Sequence, residues 1–531
     1  MSLRTDNLNR LDGGQFDVLV VGGGINGAVT AASLAARGAS VALVDRRDFA
    51  SATSQASSNL VWGGFRYLQS YEIGLVSKLC RSRNLLAEAY PTVVSEIRFL
   101  ATLDESAPFP SWLAGLGSAA YWALGRFATR PPRYLKPSAI ERAEPAVNTA
   151  QADAGIEYGD YYLKDNDSRF VWSFVRTALD RGATAANYVQ VDGLTRRDGR
   201  WQATMTDTMA DRQLVASARV VVNAGGPYAD RLNHRSGVTT DHRLVFSKGI
   251  HLVVPRLTRD DALADDRILA FFDDTERLFY VIPMANRSVI GTTDTRTDDP
   301  DEKITDTDRQ FLLDQINARL DLPRPLTTAD IVAERCGVRP LVVPAEAGDQ
   351  QDVTWTRLSR KHEIESDPDT AMVTLFGGKL TDCLNVGEEV AAAVAALGVE
   401  LGPAERWYGE APPEERATFL AQATPLGLDR APSVEREPSV AAVLWRRHGP
   451  AAWAVLDAVA ADQPAGNELI AGSDILRAEL ALYAEREMIV TMDDFLRRRT
   501  KLAMLHPRSE LDDNPGLREA EAALKLTGDL Y

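Results

Sequence analysis

The chain has 531 residues, 45% apolar and 25% charged, a balance that excludes collagenous and wholly disordered chains and, at roughly 100–200 residues per domain, predicts three or four domains. Against 75 Asp and Glu stand 59 Lys and Arg, a net charge of −16, which excludes the broad basic face that binding to nucleic acid phosphates requires. Cys80, Cys336 and Cys383 lie far apart without CxxC spacing, so no disulfide framework or thiolate metal site is expected and a reducing, cytoplasmic setting fits.

Residues 1–14 are polar, lack an apolar signal core and read as a frayed leader. Then DVLVVGGGINGAVTAASLAARGASVALVD runs from Asp17 to Asp45. It predicts a buried strand, a G-x-G-x-x-G turn, a helix of small residues stopped by Gly38, and a second buried strand ending in an acid. A lone glycine motif is weak, but this one has its full strand–helix–strand setting and an acid 18 residues beyond Gly27. Gly22 allows the tight turn, Gly24 lets the backbone approach a pyrophosphate, and Gly27 lets helix and strand pack closely. The helix N-terminus offers free N–H groups to phosphates, and Asp45 suits the adenosine ribose hydroxyls. A dinucleotide is expected here. The hydroxyl-rich stretch SATSQASSNLVWGGFRYLQ follows at Ser51–Gln69, where a nicotinamide-binding domain would normally continue into a third parallel strand. Thr53, Ser54, Ser57 and Ser58 are candidate donors to phosphate and to the flavin side of a long cofactor.

Further along, Ser111 to Ala128 is apolar with Arg126 as its only charge and Trp112, Tyr121 and Trp122 among its aromatics. Its Ala, Gly and Ser content favours a buried or interdomain helix over a span, with peripheral membrane contact through 111–128 as the other reading. Asn187 to Val191 reads as a strand whose backbone at Val189 could hold an adenine edge. Arg219 to Pro227 reads as a buried strand ending in a glycine turn at Gly225 against the cofactor. Runs such as HLVVP, LFYVIPM and SVIGTTD predict an antiparallel sheet. Residues 403–438, rich in Pro, Ala and Glu, read as a linker into a helical domain over 439–531, where DILRAELALYAEREMIVTMDDFLRRRTKLAML has helical spacing.

In order and spacing these motifs resemble the FAD-dependent glycerol-3-phosphate dehydrogenases, flavoproteins of the D-amino-acid-oxidase type. The resemblance rests on GGGINGA, ATSQASSNL and GGFRYL, on DNDSR at 165–169, VNAGGP at 222–227 and SKGIH at 247–251. VIP at 281–283, GTTD at 291–294, GVRP at 337–340 and FGGKLT at 376–381 complete it. It implies an α/β (α+β) fold with a discontinuous Rossmann-like FAD-binding domain (15–75, 165–240 and 360–400). A substrate domain on an antiparallel sheet (76–164 and 241–359) and the helical C-terminal domain follow from it. It also implies FAD as cofactor, a phosphorylated polyol as substrate, quinone or a similar electron acceptor, a homo-oligomer, and a cytoplasmic or peripheral inner-membrane location. Two positions depart from the family pattern. Trp62 stands where a His commonly precedes the glycine pair, and Asp382-Cys383-Leu384 replaces Thr-Tyr-Arg after GGKLT. An added carboxylate beside a phosphate dianion repels it unless turned away or paired.

Oxidising a secondary alcohol on a flavin needs a base for the hydroxyl proton and cations for an anionic substrate. The resemblance assigns Arg66 and Arg339 to the phosphate or substrate oxygens, with Tyr67 beside them, since a guanidinium fork donates two parallel hydrogen bonds. Arg360, in LSRKHEI, is a further cationic contact. His251, in an apolar strand, is assigned to proton removal. Lys379 is the competing base if desolvated and is otherwise assigned to electrostatic stabilisation of reduced flavin, and Gly378, Lys379, Leu380 and Thr381 to the strand-to-helix turn at the flavin's pyrimidine oxygen. The histidines show no metal-ligand spacing, so no metal is expected. An oxidase or dehydrogenase of the same fold acting on another alcohol or an amine is the alternative, motivated by Trp62 and Asp382. A flavin-containing RNA-modifying or binding scaffold is disfavoured by the acidic balance.

Overall fold

The computed structural model describes residues 2–68, 71–259, 266–273, 278–346, 361–403 and 405–526. The apolar run of Gln15–Val21 becomes the middle strand of an eight-stranded sheet in the order Glu363–Asp367, Met372–Phe376, Arg212–Asn223, Gln15–Val21, Val41–Val44, Thr184–Ala186. Five of these are parallel, with Val18 beside both Val41 and Val220, and Glu363–Asp367 is an antiparallel edge. A parallel sheet is covered on both faces, which is why its strands read as unbroken Val and Leu. The helix Ile25–Ala36 lies on one face and contacts Asp167–Asp180 and Cys383–Ala396. Its buried Ala28, Ala31, Ala32 and Ala35 leave room for those two neighbours. On the sheet's other flank, Val189–Arg197, Arg200–Asp207 and Arg212–Asn223 form an antiparallel meander.

The ten-stranded second sheet runs Thr295–Thr297, His242–Pro255, Arg287–Gly291, Leu278–Met284, Arg267–Phe272, Val94–Leu103, Ala154–Leu163, Leu60–Val61. Ala333–Pro344 also pairs with His242–Pro255, and Arg133–Leu135 with Ala154–Leu163. Its pairings are antiparallel except that of Arg267–Phe272 with Val94–Leu103. Residues 94–163 thus join 242–344 in one sheet, and the register sets His251 opposite both Arg335 and Gly291.

Three readings change. Residues 3–11 are a helix, capped by Ser2 and docked through buried Leu8 and Leu11, with Arg4 paired to Asp207 at 2.6 Å; an apolar pair three residues apart in a polar nonapeptide suffices for one helical face. Within 403–438, Pro413–Ala423 is a helix whose Phe419 and Ala423 are buried against Trp445 and Leu456, so this segment opens the C-terminal helical domain. The stretch 474–505 is broken into Glu479–Arg486, a π-helical turn Asp494–Arg499 and Leu502–Leu505. Ser111–Leu124 is a helix of 14 residues, about 21 Å long at 1.5 Å per residue, and among the described residues no helix is long and apolar enough to cross a membrane.

Candidate cofactor and substrate site

A cleft of about 240 Å³ opens at the carboxyl ends of the parallel strands, lined by Gly22, Gly24, Asp45, Val189, Gly225 and Gly378 among others, the usual ligand position in open α/β sheets. Gly22 has φ +106°, and a Cβ there would meet the Ala224 carbonyl oxygen at 2.4 Å. A Cβ on Gly27 would lie 1.8 Å from the Gly22 oxygen, so the turn and the helix cannot approach as they do with any side chain at either place. The N-terminus of Ile25–Ala36 points into the cleft, and the Ile25 N–H donates to Ser54 Oγ at 3.0 Å. Asp45 is half-buried at the cleft wall and accepts the N–H groups of Gly23 (2.6 Å) and Arg47 (2.9 Å). Burial pushes its carboxyl up to about 6 despite those two donors. Across the mouth, Arg46 lies 3.8 Å above the Tyr228 ring, and the Tyr228 hydroxyl and Arg47 both donate to Asp301.

The residues assigned to the substrate fall in two groups, His251 and Arg339 on the second sheet and Lys379 with Tyr67 beside the segment 60–68. His251 is buried in its strand, and Ser58 Oγ lies 2.8 Å from His251 Nε2. Burial first, then the charges of Arg335 and Arg339, hold the imidazole well below its ordinary value of 6.5, so it is neutral at pH 7. Two residues back, the Arg339 guanidinium crosses Gly249 so closely that a Cβ there would meet Nη2 at 2.1 Å. Residues two apart in a strand share a face, so His251 and Arg339 look the same way. Arg339 donates to Thr292 Oγ1 (2.7 Å) and to the Thr293 carbonyl (3.1 Å), which aims it. Lys379 Nζ sits 4.0 Å above the Tyr67 ring, and Tyr67 packs on Trp62.

Residues 17–401 match the FAD dependent oxidoreductase family, and residues 369–519 match the C-terminal domain of alpha-glycerophosphate oxidase. Glycerol-3-phosphate dehydrogenase 2 of Mycobacterium tuberculosis is 31% identical over 520 residues, covering 95% of this chain and 84% of that one. This chain belongs to the FAD-dependent glycerol-3-phosphate dehydrogenase family. Glycerol-3-phosphate dehydrogenase of Pseudomonas tolaasii is 29% identical, with 94% of each chain covered. In fold, the chain is similar to glycerol-3-phosphate dehydrogenase from Bacillus halodurans complexed with FAD (TM-score 0.73, 23% identity, 99% and 95% coverage). The residues present fit FAD: a glycine turn with no space for side chains at Gly22 and Gly27, a helix N-terminus for the pyrophosphate, and a half-buried carboxylate lining the cleft.

Within this flavoprotein, Gly22, Gly24, Asp45, Thr53, Ser54, Val189, Gly225 and Gly378 line one cleft, whereas Ser57 and Ser58 lie off it. Ser57 donates its N–H to Asp167 at 2.8 Å and Ser58 turns to His251. Thr53 is partly committed, donating to the Val338 carbonyl at 2.7 Å. After Gly378 the chain makes a 3-10 turn, Leu380–Asp382, before the helix Cys383–Ala396 begins, and Thr381 is held on the Trp62 backbone. Arg66 stands in the 3-10 turn Phe65–Leu68 beside Tyr67. Arg360 lies outside the described residues. Asp382 is buried and paired, meeting Ser82 (2.7 Å), Asn385 (2.6 Å), His362 (3.3 Å) and Lys78 (3.4 Å). Sequence reasoning missed Arg335, which donates to Asn59 and to Asp167 at 2.7 Å and so anchors the 55–59 segment on the second sheet. Its signal, an arginine alternating with Gly337 and Arg339 on one strand face, was present.

Proposed function

We propose that the protein oxidises sn-glycerol 3-phosphate to dihydroxyacetone phosphate with FAD and delivers the electrons to a membrane quinone. The observation that carries this reading is the shared strand face of His251 and Arg339, a neutral imidazole and an aimed guanidinium beside the segment that continues from the dinucleotide cradle. FAD supplies the two-electron acceptor. Gly22 and Gly24 would hold its pyrophosphate, with Gly27 letting the helix close on the turn behind them, and Asp45 would hold its ribose. His251 takes the hydroxyl proton of the substrate, which a desolvated neutral imidazole can accept. Arg66 and Arg339 hold the phosphate, and Lys379, on the Tyr67 ring, supplies positive charge where electron density accumulates. Asp382, being paired, does not repel the dianion.

The test is anaerobic: glycerol 3-phosphate is added to the yellow protein and the visible flavin absorbance followed. Prompt bleaching is expected. Bleaching only by another alcohol or an amine overturns the substrate assignment, an outcome to which Trp62 gives weight because it stands in place of an imidazole. Arg339→Lys is expected to raise KM for glycerol 3-phosphate at least tenfold with FAD retained, because a point charge cannot replace the planar fork; an unchanged KM removes Arg339 from the phosphate site.

The route to quinone rests on the helix Ser111–Leu124. It exposes Trp112 (62%), Leu113 and Leu116 (61%), continues into exposed Phe127 (61%) and Tyr134, and is flanked by exposed Arg126, Arg130, Arg133 and Lys136. Apolar side chains rimmed by cations suit an anionic lipid surface. Cosedimentation with phosphatidylglycerol vesicles is expected, with loss in a Trp112→Ser/Leu116→Ser variant; equal recovery of both proteins in the pellet overturns the contact.

A further inference from the structure

The imidazole of His251 has two nitrogens in different surroundings. Nε2 meets Ser58 Oγ at 2.8 Å, while Nδ1 is buried and has no hydrogen-bond partner among the described residues. A neutral imidazole carries one proton, so whichever nitrogen holds it, the other is the base. Were Ser58 to donate to Nε2, Nδ1 would bear the proton and could accept none. The surroundings of Ser58 argue for the opposite arrangement. Behind it lies a cavity of about 30 Å³, lined by Ser58, Asn59, Asp266, Arg335, Glu435 and Arg446. That is room for about one water with polar partners. The cavity's Asp266 and Glu435 carboxylates are held by Arg256 and Arg436 and by Lys501 and Arg446; ionised, they only accept hydrogen bonds, so the Ser58 hydroxyl has an acceptor-lined side toward which to turn its own hydrogen. Its lone pair is then left for Nε2–H. The charges facing His251 are Arg335 and Arg339 of the neighbouring strand. Arg335 is offset by Asp167, and Arg339 by Asp294 at 3.6 Å.

We propose that Ser58 is the positioning residue for His251, accepting from Nε2–H so that Nδ1 presents its lone pair to the substrate hydroxyl. The inference rests on His251 being the base of the proposed reaction. As the substrate O–H breaks, an Nδ1–H bond forms. The Nε2–H proton stays on the ring in its hydrogen bond to Ser58 Oγ, so His251 becomes the imidazolium. The two electrons and the carbinol hydrogen would go to FAD. Charge and atoms balance with one proton released per turnover, which leaves Nδ1 for solvent with the product and restores the Nε2–H tautomer.

The first test needs no substrate or variant of Ser58. Long-range proton–nitrogen correlation on 15N-histidine-labelled protein, with the His251 signals assigned by their loss in His251→Gln, is expected to show the proton on Nε2. A proton on Nδ1 in the resting protein overturns the proposal. Ser58→Ala is expected to lower kcat at least tenfold with KM changed less than twofold, to raise the solvent deuterium isotope effect on kcat, and to spread the resting tautomer over both nitrogens. Ser58→Thr, which keeps the hydroxyl, is expected to restore kcat to within threefold. Unchanged kcat and tautomer in Ser58→Ala refute the role of Ser58 alone. Undiminished turnover in His251→Gln refutes instead the base assignment beneath it, so the two failures are distinguishable.

Discussion

At the scale of single residues, the cofactor end of the site was readable because backbone geometry admits so few substitutes. Gly22 and Gly27 are needed where a Cβ would collide with main chain, and such collisions leave a glycine spacing in the sequence. Asp45 was readable by its distance from them, but its environment was not. Burial holds its carboxyl at about 6 in the structure, so half of it is protonated near that pH. Ribose hydroxyls donate to the ionised form, and FAD binding therefore draws the equilibrium toward the carboxylate. The sign follows by linkage: affinity rises with pH through about 6 and levels off near pH 7, with a loss of roughly tenfold per unit below. Fluorescence titration with FAD between pH 5 and pH 7.5 checks this. Asp45→Asn should bind more weakly and with a flat profile over that range; a slope that survives the substitution places the titrating group elsewhere. The hydroxyls of Ser57 and Ser58 were misjudged for the converse reason. A serine costs little in many surroundings, so a run of them marks a turn without saying which way each one faces.

Elements were legible where burial on two faces left unbroken apolar runs, as in Val18–Val21, Val41–Val44 and Val220–Val222. They were least legible where a charged sequence hides a small apolar face, as in Leu3–Leu11 and Pro413–Ala423. The junction of Ile73–Ala89 with Cys383–Ala396 shows why Asp382 looked troubling in the sequence and is harmless in the fold. Burial raises its carboxyl, but His362, then Ser82, Asn385 and Lys78, outweigh that and hold it at about 2. Burial likewise lowers His362, and Asp382 and Glu389 outweigh it upward. The signs differ. The contribution of Asp382 is present above its unfolded value of 3.8 and is lost as pH falls toward 2. That of His362 is full below 6.5 and fades as pH rises through its elevated value. Maximum stability from this junction therefore falls between about pH 4 and pH 6.5. Asp382→Asn is expected to cost roughly 1–3 kcal/mol at pH 6, from leaving buried donors poorly matched. Thermal denaturation across pH 3 to 8 should show the loss shrinking at the acid end. A constant loss at every pH would mean that shape, not charge, holds the two helices together.

The whole molecule is tied together by pairings that no local pattern could reveal. Asp48, three residues past the ribose-side acid, is fully buried, and its partners come from the far end of the chain. Arg499 donates to both its oxygens at 2.9 Å and Arg498 to one at 2.8 Å, while Asn187 donates to Asp48 and to the Met488 carbonyl. Tyr188 donates to Asp494 at 2.8 Å, and the Val189 N–H to the Asp45 carbonyl at 2.7 Å. The turn Asp494–Arg499 of the C-terminal domain thus grips both segments, 45–48 and 187–189, that would wall the adenosine end of the cleft, and Arg499 is seated 4.2 Å over Trp172. In sequence, Asp48 is one charge among several in DRRDF, with its partners some 450 residues away. With FAD in the cleft as proposed, this arrangement would make the C-terminal domain a support for cofactor retention, separate from the substrate chemistry proposed on the second sheet. Arg499→Ala leaves a buried carboxylate without its bidentate partner, a change that costs about 3–5 kcal/mol. FAD affinity should fall together with the melting temperature, whereas kcat at saturating FAD stays within about twofold. The double variant Asp48→Asn/Arg499→Met, which removes both charges, is expected to recover most of the stability but not the FAD affinity, because the loop after Asp45 would have lost its anchor to the C-terminal domain. Recovery of both would show that charge compensation alone mattered, and FAD affinity unaltered in Arg499→Ala would show that the adenosine walls stand without the C-terminal domain's grip.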